Sequence, residues 1–426
     1  MHPYLEYLQS FFARTPVQVL SLGFILLLIG IYIRPDTYPP ITPLPASFNW
    51  ETTEPLVLRP FKPKYHLTMG ITTLPPSELL PIDKTYLSRL ALRKQLLSQY
   101  PDVVRAVNLR KQDRDMNGKI REALFEWYAF VMGVYLPGRY PGMFRVLEEG
   151  DDGDGNGKGR VVESAVTGKR VPVEAGELIR RHDSSLKKEG EENDENELQK
   201  EKNGLLHVLD TMASWIDEDF LILLPSPVSP ENQSPSDPSD PSNDPKYHLQ
   251  AFTTYYPAGF DTRTKLSLPL SAIHAPVPGY KEKLEKSMDR FFSRLEVGRF
   301  VVRVNWSVMT KGTGLFAAFG GLHEHDSGKG DGNGNGQEEE IQVEGFDGEE
   351  TYLRCERQTL HRLPRSKALI FAFHTYTYPL KDIKAEGLGE DMAVAIDGLK
   401  GGNVPEVYPY KRGPYWGEAV KAFLRS

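Results

Sequence analysis

Apolar positions recur at helical spacing in four stretches of the chain. Residues 83–100 line up Tyr86, Leu90, Arg93 and Leu97 on one face, and residues 119–135 do the same with Leu124, Trp127, Val131 and Val134. Residues 205–217 predict a third helix, and residues 280–295 a fourth, opened by the Pro278-Gly279 turn. Density of β-branched and aromatic residues, with partial alternation, predicts strands at 300–308 (FVVRVNWSV) and 368–378 (ALIFAFHTYTY). Shorter strands are expected at 143–147 with 160–164, joined across a polar connection, and at 220–224. These elements follow one another with no regular βα repeat, no Gly-rich phosphate loop and no internal repeat. The expected fold is therefore α+β, a single domain built as a sheet with packed helices.

Other stretches fall outside this pattern. After a short tail, residues 1–16, the uncharged run 17–33 (VQVLSLGFILLLIGIYI) lies between Arg14 and Arg34 and would span roughly 25 Å as a helix at about 1.5 Å per residue. No small-residue cleavage site follows, so the expectation is an uncleaved transmembrane helix, a single-pass membrane anchor whose balanced flanks leave orientation open. Residues 34–63 are proline-rich and aperiodic, as an extended stem would be, leaving 64–426 as the folded domain. Four segments within it, 149–159, 183–203, 225–245 and 323–350, are too poor in apolar residues to offset chain entropy and read as disordered insertions.

A formal net charge of −7, with no sustained basic stripe, argues against nucleic acid as a partner. The lone cysteine, Cys355, excludes an intramolecular disulfide and any Cys-ligated iron–sulfur or structural zinc site within the chain. It favours a reducing compartment.

Several motifs look chemical. Asp152, Asp154, Asn156, Gly157 and Glu163 satisfy a calcium-loop spacing, but strand and turn rather than a helix follow them, and Gly159 replaces the usual apolar eighth residue. A similar tract at 331–336 ends in Gln342. The run Asp217-Glu218-Asp219 suits either a metal for a nucleotide-sugar or a solvated helix end. Asn305-Trp306-Ser307 is a glycosylation sequon set inside a strand pattern, and Asn232-Gln233-Ser234 is followed by Pro235. His274, in SAIHAPVPGY, is stiffened by Pro276 and Pro278; a rigid, apolar-flanked imidazole suits an axial haem ligand, and equally a hydrogen-bonded His at a loop-to-helix junction, which residue chemistry alone favours. His374 either points into a pocket or fills the core. The tract 354–365 concentrates Arg354, Arg357, Arg362 and Arg365, a donor set for carboxylates, or else a solvated face paired with Glu349, Glu350 and Glu356.

Taken together, FKPKYHLTMGITTLPPSELLPIDKTYLSRLALRKQLL, the RYP at Arg139, the Thr167-Gly168 turn, EDFLILL, IHAPVPGY, DRFFSRL, VVRVNWSV and ERQTLHRLPRSKALIFAFHTYTYPL resemble the haem-dependent oxidative N-demethylase α-subunit-like family. The resemblance runs in order from about Tyr65 to near Lys411 and is interrupted at the insertions. It implies a PAS-like antiparallel sheet holding haem b, in an enzyme that uses O2 to oxidise a methyl group of a small amine, releasing formaldehyde. On that footing His274 is the expected iron ligand, with His374 as the alternative, and Arg303, Arg357, Arg362 and Arg365 are expected to anchor propionates or substrate. His361 and His374 depart from the family pattern, standing where many members carry Arg, which alters the charge expected of the pocket.

The chain has one cysteine and no dinucleotide fingerprint, so no internal flavin or iron–sulfur cluster is expected, and electrons would come from a separate reductase. The sequence reading is thus a membrane-tethered haem oxidoreductase acting on a small-molecule substrate, its domain on the cytosolic side of an endoplasmic-reticulum-like membrane. Two rivals stand beside it: a type II membrane glycosyltransferase, suggested by anchor, stem and acidic clusters, and a non-catalytic PAS-like sensor.

Overall fold

The computed structural model describes residues 37–149, 159–188, 196–226, 244–310 and 346–426. Within them ten strands run in chain order: β1 Thr72–Thr73, β2 Arg105–Val107, β3 Phe144–Glu148, β4 Arg160–Ser164, β5 Arg170–Pro172, β6 Asp219–Pro225, β7 Tyr247–Thr253, β8 Val301–Met309, β9 Tyr352–Arg362 and β10 Leu369–Pro379. Seven of them form one antiparallel sheet in the order β1-β8-β9-β10-β6-β7-β2, and β3-β4-β5 form a small second sheet. The longer helices are α1 Tyr86–Gln99, α2 Arg114–Phe130, α3 Ala175–Lys188, α4 Glu197–Ala213, α5 Glu285–Arg294, α6 Gly389–Lys400 and α7 Gly413–Arg425. The fold is α+β, with a large antiparallel sheet and packed helices.

Alternation along the central strands sorts side chains to two faces. Phe220, Ile222, Ile370 and Ala372 pack with Leu124, Trp127 and Phe130 of α2 and Val208 and Leu209 of α4 in one buried cluster. Leu223, Leu249, Phe252, Leu360 and Leu369, on the alternate positions, pack with Leu270, Tyr280, Leu284, Met288 and Phe292 from the segment leading into α5. Met392 and Ile396 of α6 and Trp416 and Val420 of α7 join this second cluster.

Every predicted helix and strand has a counterpart, with shifted bounds in three: the helix expected at 205–217 starts eight residues earlier, at Glu197, the one expected at 119–135 begins at Arg114 and passes into a π-helical turn at Val131–Tyr135, and residues 280–295 divide into the turn Tyr280–Lys283 and α5. β9 was not foreseen. Its tract was read for its arginines, because polar residues alternate with one another on both faces; pairing in register with β8 on one side and β10 on the other makes it a central strand nonetheless.

Three expectations are corrected. The segment 183–203 is not a disordered insertion throughout, since α3 runs to Lys188 and α4 begins at Glu197, its N-terminus capped by the Asn196 side chain. Residues 37–63 are not a spacer. The Tyr38 ring stacks on Phe130 at 3.8 Å, Leu44 N–H donates to the Arg139 carbonyl at 2.9 Å, Arg59 pairs with Glu386, and Phe48 and Trp50 lie against the α2 core, so the segment straps the domain. The third concerns membrane localisation: among the described residues no helix is long and apolar enough to cross a membrane. The 17–33 run behind that expectation lies outside the described residues, and the endoplasmic-reticulum placement is withdrawn with it.

Candidate functional site

His274 caps the short helical turn Leu270–Ile273, whose entry is set by Pro269. Its Nδ1 lies 2.8 Å from the Leu270 carbonyl oxygen. A carbonyl only accepts, so Nδ1 carries the proton and Nε2 keeps the lone pair. The ring is half-buried and lies parallel to Tyr280, centroids 5.0 Å apart at 15°. Burial, opposed by the Leu270 hydrogen bond and reinforced by the Arg303 charge, holds the imidazole below the ordinary histidine value. A neutral imidazole oriented through Nδ1–H by a backbone carbonyl is the state in which Nε2 binds iron.

Close backbone approaches bring the rest of the site to this turn. Gly279, at φ 70°, begins the next turn, and a Cβ there would lie 2.8 Å from Val404 Cγ2 and 3.4 Å from Leu67 Cδ2. Leu67 N–H donates to Asn403 Oδ1 at 2.7 Å, and Tyr65 N–H to the Gly398 carbonyl at 3.0 Å. From the same C-terminal region Lys411 reaches β8, its Nζ donating to Asn305 Oδ1 at 3.1 Å and to the Trp306 carbonyl. Arg303 stands two residues before Asn305 and so on the same face of β8. Among the described residues Arg303 has no hydrogen-bond or ion-pair partner, and its Nε is enclosed. Burial lowers the pKa of Arg303 and brings that of Lys411 down to about 8, Arg303 adding to the effect on Lys411.

The other predicted anchors are committed elsewhere. Arg357 donates to the Glu78 and Leu79 carbonyls, and Arg362 holds the end of α5 through the Phe292 and Leu295 carbonyls as well as Tyr247 Oη. Arg365 lies 3.6 Å from Glu126, which also accepts from the backbone N–H groups of Arg365 and Ser366. His374 is 3 % exposed, with Nδ1 2.8 Å from Glu218 Oε2 and Nε2 3.5 Å from Asp217 Oδ2. Burial drives the Glu218 carboxyl up and the His374 imidazole down, each toward its uncharged form. Nδ1 is engaged by Glu218, while Nε2 faces Asp217 in a closed interior with no hydrogen-bond partner among the described residues. His361 is fully buried against Phe300, centroids 4.6 Å apart, and does not touch the His274 site.

The acidic run is neither solvated nor a metal cluster. Asp217 pairs with Arg89, and Asp219 with Arg93 at 2.8 Å while also accepting from the Tyr255 and Tyr256 N–H groups. A cavity of about 10 Å³, room for one water, touches Asp217 and Glu218. Among the described residues no group of three His, Cys, Asp or Glu side chains is placed to hold a metal ion. Asn305 is engaged by Lys411, and Glu163 pairs with Arg145 and Arg170; Asp152 to Gly157 and Asn232 lie outside the described residues.

The fold thus gathers His274, Arg303 and a residue that sequence reasoning missed, Lys411. Nothing local marks Lys411 except its aromatic setting in VYPYKRGPYW. An oriented imidazole on which Arg303 acts, with Lys411 next to Arg303, offers the donor types haem needs, an axial ligand and cations for carboxylates. Comparison among curated proteins found no match. The sequence model described as haem-dependent oxidative N-demethylase, alpha subunit-like, matches residues 70–421. That span takes in the sheet, its helices and all three site residues, so the chain belongs to the haem-dependent oxidative N-demethylase, alpha subunit-like family.

Proposed function

We propose that this chain binds haem b at His274 and uses it, with O2 and electrons from a separate protein, to oxidise an N-methyl group of a small amine. The observation that carries the reading is the His274 geometry: Nδ1–H is held at 2.8 Å by the Leu270 carbonyl, leaving the lone pair on Nε2, with the Arg303 charge acting on the ring. When bound, haem supplies the O2 chemistry by which the methyl carbon is oxidised and leaves as formaldehyde. The chain's own part is positional and electrostatic. Leu270 fixes the imidazole tautomer, Tyr280 fixes the ring plane, and Arg303 with Lys411 offers positive charge to carboxylates. In this reading the large antiparallel sheet is the PAS-like platform of the family.

Haem-loaded protein given a reductant and O2 should release formaldehyde from at least one member of a panel of small N-methylated amines. Haem uptake without amine-dependent formaldehyde or O2 consumption would replace the enzyme with a haem-binding sensor. The glycosyltransferase reading has lost its described acidic cluster to the ion pairs of Arg89 and Arg93; nucleotide-sugar binding with Mn²⁺ in a chain that takes no haem would reinstate it.

A further inference from the structure

The ladder between β6 and β10 ends at Asp219 and Phe373, and the next residue of β10, His374, continues the pairing through its side chain. Its Nδ1 lies 2.8 Å from Glu218 Oε2, and its Nε2 stands 3.5 Å from Asp217 Oδ2. Asp217 is paired with Arg89, and a carboxylate only accepts, so the nitrogen that faces it carries a proton rather than a lone pair. Nδ1 and Glu218 Oε2 then need a second proton between them, because without it two lone pairs would meet at hydrogen-bond distance. Arg89 and Arg93 of α1, Arg357 of β9, Asp217 and Asp219 all act on this pair, and Tyr140 and Tyr376 lie within its electrostatic reach. The cations are committed to other groups. Arg89 holds Asp217 and the Thr375 carbonyl, Arg93 holds Asp219, and Arg357 donates to the Glu78 and Leu79 carbonyls. Glu218 Oε1 is enclosed, with no hydrogen-bond partner among the described residues, a setting that penalises a carboxylate far more than an acid.

We infer that Glu218 and His374 hold one shared proton in the folded protein and form a latch between β10 and the start of β6 that loosens as pH rises. The proton comes from solvent on folding and returns to it on unfolding. When it leaves the folded protein, a second carboxylate stands beside Asp217, and Nδ1 faces it with a lone pair. Between about pH 4.3 and 6.5 the unfolded Glu and His also hold one proton between them, so the pair adds no pH dependence there. Above about pH 6.5 the unfolded pair holds none while the folded pair keeps its one, so stability falls as pH rises, by about tenfold in the folding constant per pH unit. The latch lies on the face of the sheet closed by α2 and α4 and is independent of the haem reading.

Glu218→Gln tests this, because the amide N–H donates to Nδ1 in place of the acid proton and does not titrate. Urea unfolding of the full chain should be followed between pH 7 and pH 8 in the wild type and the variant. The wild type should lose about tenfold more of its folding constant over that unit than Glu218→Gln does. Lys411, brought down to about 8, titrates in both proteins and drops out of the comparison. An equal loss in the two would overturn the inference. Imidazole nitrogen NMR of the histidine-labelled wild type, with His374 assigned through the backbone of Phe373 and Thr375, gives a reading that needs no variant to fold. A neutral ring protonated on Nε2, with Nδ1 accepting, is expected at pH 8, and an imidazolium would equally uphold the shared proton, placing it on nitrogen. A neutral ring protonated on Nδ1 would overturn the inference, since Glu218 would then be an ordinary carboxylate acceptor.

Discussion

His361 has no hydrogen-bond partner on either ring nitrogen among the described residues and lies fully buried between Phe300 and Trp127. Burial alone pushes its pKa down to about 3, whereas an unfolded histidine titrates near 6.5. The stability tied to its neutral form is fully present above about pH 6.5 and drains away as pH falls toward 3, because the unfolded chain takes up the proton first. We predict that His361→Leu narrows this loss: urea midpoints taken at pH 7 and pH 4 should fall less in the variant than in the wild type, and an equal fall would show that His361 finds a partner in solution. His361, His374, Arg357 and Arg362 share a lesson about legibility. Each has a side chain of the right type for a cofactor site, and each is set among groups distant in sequence: Glu218 bonds His374, Glu78 accepts from Arg357, Leu295 accepts from Arg362, and the Trp127 and Phe300 rings enclose His361. Residue type was legible in the sequence; which partner satisfies it depends on strand register and helix docking. Lys411 is the converse, an unremarkable lysine given meaning by its contact with β8.

At the scale of elements, the turn carrying His274 depends on Gly279. An L-residue held in the left-handed region costs about 1–2 kcal/mol, and a Cβ at Gly279 also presses on Val404 at 2.8 Å. Gly298 provides the control, with φ 86° and nothing within 4 Å of its Cβ position. Both Gly→Ala variants should lose about 1–2 kcal/mol in urea unfolding, but only Gly279→Ala should also weaken haem binding, since only there must the turn beside His274 shift. Equal haem affinity in the two variants would detach that turn from the site. The strands β8 and β10 were legible because apolar residues crowd them. β9, which they enclose, was not: it buries Arg354, Glu356, Thr359 and His361, a polar content that mimics a surface tract until its two neighbours are known.

For the molecule as a whole, the two faces of the large sheet do different work. One is closed by α2 and α4 over aromatic residues and the buried Glu218–His374 pair, a structural interior. The other carries Arg303 and Asn305, with Glu356 opposite on β9, and Lys411 reaches it from the C-terminal region. The α+β class and the sheet-with-helices plan could be read from periodicity. The strap at 37–63 could not, because a proline-rich stretch looks like a spacer until Tyr38 finds Phe130 across the chain. That the His274 side of the sheet holds haem is the central claim, and absorbance on titrating the purified chain with haem tests it most directly. The account predicts a protein-bound Soret band that saturates at one haem per chain and is lost or shifted in His274→Ala. A spectrum that stays that of free haem throughout the titration would contradict it, and an identical bound spectrum in His274→Ala would take the ligand away from His274.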